Sequence, residues 1–193
     1  MASPRLPLLL LCAVWLMALP PALAQPWQKA LAPGFVVQYA RSPDALHLPE
    51  VFRVLRQARR DLQQMGYLLP AVRVVIHPDL KSYTASTRLP WFVLAAAHRG
   101  QNRIDTQRLP VLLRGGLERT LRHELFHLAQ PEGWPRWKAE GMAMRFAGER
   151  PTAPAFASIS EADLERLLTH PPDPATLRRA MATAYRWTGW VQR

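Results

Sequence analysis

The five-residue segment His123-Glu124-Leu125-Phe126-His127 constrains this chain more than any other feature. It matches H-E-x-x-H, a pattern tied to zinc chemistry. On an α-helix, residues four positions apart lie on the same face, one turn above the other. His123 and His127 would then both reach one ion at roughly 2.0–2.1 Å. Glu124 would lie beside the ion, where a carboxylate can take a proton from a bound water.

The pattern lies in a predicted helix from Gly116 to Gln130 that ends before Pro131. Four leucines at helical spacing form one apolar stripe on it: Leu117, Leu121, Leu125 and Leu128. The two histidines lie beside this stripe, so the helix can bury its leucines and present both imidazoles to a cleft. The alternative is an ordinary amphipathic helix with two surface histidines.

A catalytic zinc ion usually has three protein ligands and one open position, so a third ligand is needed. Glu140 is the best candidate, because it lies on the next predicted helix, 136–147, after a short rigid connection at 131–135. Helices joined in this way are antiparallel neighbours. Gly141 has no side chain and would allow close helix approach. The alternative for Glu140 is a solvated charge on a helix surface.

The N-terminal segment has the pattern of a secretory signal peptide. A positive charge precedes an apolar stretch at 6–19, which is followed by an A-x-A cleavage site. We expect a signal peptide at 1–24 that is cleaved after Ala24, a single mature domain at 25–193, and a periplasmic or secreted location. An uncleaved anchor is the alternative. Cys12 is the only cysteine, so a zinc site in the mature chain must use histidine and carboxylate ligands.

Basic residues outnumber acidic ones, since 25 Lys and Arg against 14 Asp and Glu give a formal net charge of +11. This charge indicates either a solvated surface, the interpretation we favour, or attraction to anionic partners such as envelope polymers, lipid headgroups or nucleic acid. Because basic residues are not interleaved with aromatic ones in a run, we expect no nucleic-acid partner. We also expect no stable membrane span after signal cleavage, and a monomer.

The remaining patterns predict an α+β fold with a small mixed sheet. Strands are expected at 35–40, 72–77, 92–97 and 103–106. Further helices are expected at 50–65, 159–170 and 175–192. The strand, helix, strand order over 35–77 suggests a crossover between parallel strands. Residues 79–90 are expected to form an irregular loop, and the charged strand at 103–106 is expected at an antiparallel edge of the sheet.

Two segments carry a resemblance to a known family: TLRHELFHLAQ and, after a short Pro-containing turn, PRWKAEGMAMRFAG. They resemble the gluzincin zinc metallopeptidases, and in particular the peptidase-MA-like branch with its W-x-x-E-G-x-A segment. Upstream, VRVVIHPD and NRIDTQ are similar to the strands before the motif helix in that group. The resemblance implies a zincin-like fold in which extended peptide adds to the edge strand around Ile104. It also implies Glu124 as general base and three zinc ligands, His123, His127 and Glu140.

The chain departs from this family in two respects. Thermolysin-type gluzincins carry an Asp one turn after the glutamate ligand, but Met144 stands here, so a zinc-bound histidine must be oriented from elsewhere, for example by a backbone carbonyl. A transition-state donor is also needed. Tyr185, in TAYRWTGW, is a catalytic candidate by faint similarity to a helix of that branch, and the alternative is an aromatic residue packed beside Trp187 and Trp190. The remaining histidines are expected to be isolated surface or loop residues: His47, His77, His98 and His170.

Together these features predict a periplasmic or secreted zinc metallopeptidase, a hydrolase that cleaves peptides or proteins, such as those of the cell envelope, with Zn²⁺ as its cofactor. Two alternatives stay open. One is a catalytically weak or inactive zincin-like module that binds zinc. The other is a basic envelope-binding protein without metal.

Overall fold

The computed structural model describes residues 26–191, so the signal peptide predicted at 1–24 lies outside the described residues. Within that range the fold is α+β, as predicted, with a five-stranded mixed sheet and seven α-helices. The strands are β1 (Gln28–Ala32), β2 (Phe35–Tyr39), β3 (Val72–Ile76), β4 (Ala95–His98) and β5 (Arg103–Thr106). The helices are α1 (Leu48–Gln64), α2 (Leu80–Thr87), α3 (Leu109–Gly115), α4 (Leu117–Ala129), α5 (Arg136–Ala147), α6 (Glu161–Thr169) and α7 (Pro174–Val191). No helix among the described residues has the length and apolar character needed to cross a membrane.

The strands follow one another across the sheet in the order β1-β2-β3-β5-β4. β2 and β3 are parallel and are connected through α1, which confirms the predicted crossover between parallel strands. β5 pairs in parallel with β3 and antiparallel with β4. The prediction that residues 103–106 form the edge strand is therefore wrong, because β5 is interior and β4 lies at the edge.

The charged residues of β5 form a compensated cluster in which Asp105 is buried and Arg103 is half-buried, which explains why they do not mark an edge. Asp105 is only 1% exposed. Its carboxylate lies 2.9 Å from His77 Nε2, 2.8 Å from His98 Nε2 and 2.8 Å from Arg103 Nε. Burial alone would raise the pKa of Asp105, but the hydrogen bond from His77 and the neighbouring positive charges bring it below its ordinary value. The prediction that His77 and His98 are isolated is therefore wrong.

The main core lies between the sheet and helices α1 and α4. The apolar stripe predicted on α4 is confirmed, with Leu121 and Leu125 at most 1% exposed and Leu117 and Leu128 also buried. Burying such a side chain contributes about 1.5–3 kcal/mol relative to leaving it exposed. This stripe fixes the rotation of α4 about its axis, and so determines which way the histidines beside it point.

Helix α2 replaces the irregular loop predicted at 79–90, so that prediction is wrong over Leu80–Thr87. The Ser- and Thr-rich composition is typical of a loop, but an N-terminal cap and a buried aromatic side chain favour the helix. Asp79 caps its N-terminus by accepting a hydrogen bond from the backbone N–H of Ser82 at 2.7 Å. Tyr83 is completely buried. Strand β1 and helix α3 were also not predicted from the sequence.

Helix α5 packs between α4 and α7. A Cβ atom added at Gly141 would lie 2.6 Å from Thr188 Oγ1 and would collide with the backbone carbonyl oxygen of Ala184. Only glycine therefore permits this crossing of α5 and α7 without a shift of one helix. Gly141 was predicted to let this helix approach the motif helix, but the close approach that it permits is to α7.

Candidate metal centre

The structure brings together the three predicted metal ligands. His123 and His127 lie one turn apart on α4, and Glu140 lies on α5. Glu140 Oε2 is 3.1 Å from His123 Nε2 and 3.4 Å from His127 Nε2. Donors placed about 2.0–2.1 Å from a tetrahedral ion are roughly 3.4 Å apart, so these separations suit a single small cation.

The donor atoms of this triad all lie within 4.8 Å of one another, and among residues 26–191 it is the one group of three or more His, Cys, Asp and Glu residues found that could hold a metal ion. Two imidazoles and one carboxylate are the ligand set of several catalytic zinc sites, which keep a fourth position open. The residues present therefore fit a zinc ion with three protein ligands.

Each histidine of the triad has its second ring nitrogen bonded to a neighbouring side chain. His123 Nδ1 lies 3.1 Å from Glu149 Oε1, and His127 Nδ1 lies 3.0 Å from Gln130 Oε1. With Nδ1 donating to these oxygens, Nε2 is the nitrogen that gives up its proton when a metal binds. Both histidines are thus held in the orientation that a metal site requires.

Glu149 takes the orienting role that the sequence left unassigned at Met144. Helix α5 ends at Gly148, whose φ of 71° is left-handed, and the chain then turns so that Glu149 reaches the imidazole of His123. Sequence reasoning missed this residue and Gln130. Glu149 is, however, the only acidic residue between positions 141 and 160, which is a signal that could have identified it.

The charges of the triad are tightly coupled. Burial alone would raise the pKa of Glu140, but the positive charge of His127 and a hydrogen bond from His123 hold it well below its ordinary value. Arg136 adds to this effect with its Nη2 3.2 Å from Glu140 Oε1. Glu140 is therefore ionised at neutral pH, as a metal ligand must be.

The pKa of His123 shifts in the opposite direction to that of Glu140. Burial alone would lower its pKa, but hydrogen bonds to Glu140 and Glu149 raise it well above the ordinary value. In the metal-free protein the ring of His123 is therefore cationic, and its charge offsets those of the two carboxylates. A metal ion would take the place of the Nε2 proton.

Glu124 lies next to His123 and lines the same cavity as the three ligands. It is 8% exposed, and burial raises its pKa, although the positive charges of His123 and His127 partly oppose that shift. A carboxylate whose pKa moves towards neutrality becomes a better general base at neutral pH. Its position and its environment therefore suit proton transfer.

The cavity at the triad has a volume of about 890 Å³. The edge strand β4 contributes all four of its residues to one wall, and the other walls come from α4, α5 and the segments near α6 and α7. A space of this size, with an exposed strand edge along it, can accept several residues of an extended peptide.

Tyr185 does not lie among the residues that line this cavity. It is half-buried on α7, where the guanidinium carbon of Arg145 lies 4.1 Å from the centre of its ring. Arg145 also donates a hydrogen bond to the backbone carbonyl of Tyr185 at 2.7 Å. The structure therefore brings the triad and Glu124 together but does not bring Tyr185 to them.

No known family model matches the chain, and no curated protein sequence matches it significantly. What this site can do therefore follows from its own residues: two oriented imidazoles, an ionised carboxylate and a buried glutamate around one cavity.

Replacing Glu149 should weaken zinc binding without abolishing it. Loss of an outer partner of a metal-bound histidine typically costs about 10–100-fold in affinity, and we expect Glu149→Ala to fall in that range. Glu149→Gln keeps an oxygen that can accept from His123 Nδ1 and should lose less. Competition with a chromophoric chelator measures the affinity. Glu132→Gln, at an exposed site outside the cavity, is the matched control, and equal affinities in Glu149→Ala and the control would contradict the orienting role.

Proposed function

We propose that this protein is an exported zinc metallopeptidase of the gluzincin type, with a zincin-like fold, that hydrolyses peptide bonds. The single observation that supports this most is the convergence of His123, His127 and Glu140, whose donor atoms all lie within 4.8 Å of one another, with Glu140 Oε2 3.1 and 3.4 Å from the two Nε2 atoms. The H-E-x-x-H pattern and the position of Glu124 in the same cavity support it further. The signal-like N-terminal segment supports a periplasmic or secreted location.

A zinc ion held by the triad would supply Lewis-acid activation of a water molecule and of the scissile carbonyl. Glu124 accepts the proton of the attacking water and returns it to the leaving amine. The hydrogen bonds of Glu149 and Gln130 keep both imidazoles in place during the reaction. The low exposure of Glu124 and Glu140 limits competition from bulk water.

The peptide backbone is held in this proposal by the edge strand β4. The resemblance implied β-addition to the strand around Ile104, but Ile104 is completely buried on the interior strand β5. β4 has a free edge beyond its pairing with β5, and its residues 95–98 line the cavity. An extended substrate that pairs with β4 would therefore pass over the metal ligands.

One observation favours a second candidate function, a zinc-binding module without peptidase activity. Tyr185 is packed against Arg145 away from the cavity, so the transition-state donor expected in this class is unassigned. Such a module would bind zinc stoichiometrically and would not turn over any peptide.

Metal removal tests the proposal directly. We expect the purified mature protein to contain about one zinc per chain and to digest a quenched fluorescent peptide library. A chelator should abolish the cleavage, and added zinc should restore it. Stoichiometric zinc without turnover would support the inactive module. Absence of metal, together with salt-dependent binding to anionic polymers, would support the basic envelope-binding protein and overturn the proposal.

A further inference from the structure

The cavity that holds the metal triad is rich in arginine. Its lining includes Arg99, Arg119, Arg136, Arg150 and Arg178. Four glutamates share the lining: Glu124, Glu140, Glu149 and Glu165. Which of these charges are free for a ligand depends on the contacts that each one already makes.

The acidic groups of the cavity are already occupied or sequestered. Glu140 is bonded within the triad, and Glu149 is bonded to His123. Glu165 accepts hydrogen bonds from the backbone N–H groups of Arg136 and Trp137 at 3.0 and 2.8 Å, at the N-terminus of α5. Glu124 is buried beside the ligands. None of them is therefore an exposed carboxylate without a partner.

Two of the arginines also have partners. Arg136 pairs with Glu140. Arg99 donates to the backbone carbonyls of Gln130 and Pro131, which follow α4. These two side chains stabilise the connection between α4 and α5 and the charge of the triad. They do not account for the remaining positive charge of the cavity.

The other three arginines, Arg119, Arg150 and Arg178, are exposed and make no ion pair within 4 Å and no side-chain hydrogen bond within residues 26–191. The charge of Arg178 also acts on Asp173, whose pKa it helps to lower. Arg119 lies four residues before His123 on α4, so it shares the helix face that carries both histidines. Arg150 follows Glu149 directly in the chain, and Arg178 lies on α7. Three structural elements thus each contribute an exposed guanidinium to one cavity, and those of Arg119 and Arg150 have no charged partner among the described residues.

We propose that these three arginines make the cavity selective for peptides that carry carboxylate groups close to the scissile bond. This inference rests on the proposed peptidase function. Guanidinium groups bind carboxylates through two parallel hydrogen bonds, and the positive charges attract acidic peptides before contact. The carboxylate could belong to Asp or Glu side chains of the peptide or to its C-terminus.

Exposed ion pairs are weak one at a time, each changing a binding constant by about 1.5- to 5-fold. Three that act on one peptide should together give a preference of about tenfold over a neutral peptide. Because the groups are exposed, high salt should screen the preference.

The experiment compares three sets of quenched fluorescent peptides on the zinc-loaded mature protein. One set has Asp or Glu around the cleaved bond and an amidated C-terminus, the second has Asn or Gln instead, and the third is neutral with a free C-terminus. We expect kcat/KM to be about tenfold higher for the acidic set than for the neutral amidated set. The ratio should fall in 0.5 M salt, where the Debye length is about threefold shorter than in about 0.05 M salt. A preference confined to free C-termini would still support recognition of a carboxylate and would assign it to the terminus.

Variants assign the preference to the arginines. Arg119→Gln with Arg178→Gln should lower the ratio of acidic to neutral peptides from about tenfold to about twofold, which is the share of Arg150 alone. Arg119→Glu should shift the preference towards lysine-containing peptides, a gain that misfolding cannot produce. Arg56→Gln is the matched control, because Arg56 is exposed on α1 and does not line the cavity. An unchanged ratio in the double variant would overturn the inference.

A binding measurement separates failure of this inference from failure of the proposed function. Fluorescence anisotropy with labelled acidic and neutral peptides is measured on the zinc-loaded Glu124→Gln protein. If no peptide is hydrolysed by the unsubstituted protein but acidic peptides bind more tightly, and Arg119→Gln with Arg178→Gln reduces that difference, recognition of carboxylates by the arginines stands and the peptidase proposal falls. Hydrolysis without any preference for carboxylates overturns the inference and leaves the peptidase proposal intact.

Discussion

Replacing Glu124 with glutamine is expected to abolish peptide hydrolysis while leaving zinc binding intact. Glutamine has nearly the same shape as glutamate, but it cannot accept the proton of the attacking water. Loss of a general base typically lowers the rate by about 10²–10⁴-fold. The metal ligands His123, His127 and Glu140 are unchanged in this variant, so its zinc content should equal that of the unsubstituted protein.

The burial of Glu124 adds an expectation about stability. Burial raises the pKa of this carboxyl group, which means that the folded protein disfavours its charged form. A neutral amide removes that cost, so the melting temperature of Glu124→Gln should be the same or higher. A loss of activity can then not be attributed to unfolding.

Elemental analysis measures the zinc content, thermal melting measures the stability and peptide digestion measures the activity, all on one preparation. Glu118→Gln is the matched control, because Glu118 lies on the same helix and its contact with Arg53 is exposed. Its digestion rate should match that of the unsubstituted protein. If Glu124→Gln cleaves peptides at the rate of the control, Glu124 is not the general base.

The triad could be predicted from the sequence because its arrangement is mostly local. The spacing of His123 and His127 follows from the helical repeat, and the leucine stripe fixes the side of the helix on which they lie. Glu140 required one further step, since it lies on the next helix after a short connection. Its 3.1 Å separation from His123 depends on how α4 and α5 pack. The resemblance implied this packing, but the local sequence pattern did not.

The contact of Glu149 with His123 and the position of the edge strand could not be predicted in this way, because both depend on tertiary structure. Glu149 reaches His123 only because the chain reverses at Gly148. The edge strand was assigned wrongly because charged residues such as those of β5 are typical of a solvent-exposed strand. In the structure, the charge of Asp105 is instead balanced inside the fold by His77, His98 and Arg103. A buried polar cluster and an exposed edge have similar compositions, and only the strand order distinguishes them.

Replacing Glu140 with glutamine is expected to remove most of the zinc affinity together with activity. The substitution takes away the only anionic ligand of the triad and leaves a neutral amide oxygen, a poor ligand for zinc beside two imidazoles. The zinc affinity should fall further than it does when an outer partner such as Glu149 is removed, a loss that is typically about 10–100-fold. Competition with a chromophoric chelator measures it, and Glu132→Gln again serves as the control.

The order of zinc affinities across the variants tests the whole site. Glu124→Gln should match the unsubstituted protein, Glu149→Ala should be weaker, and Glu140→Gln weaker still. A pair of surface histidines on one helix would bind zinc equally in all three, because it involves no carboxylate from α5. If Glu140→Gln holds zinc as tightly as Glu132→Gln, Glu140 is not a ligand, and the two histidines alone would leave a peptidase site without its third protein donor.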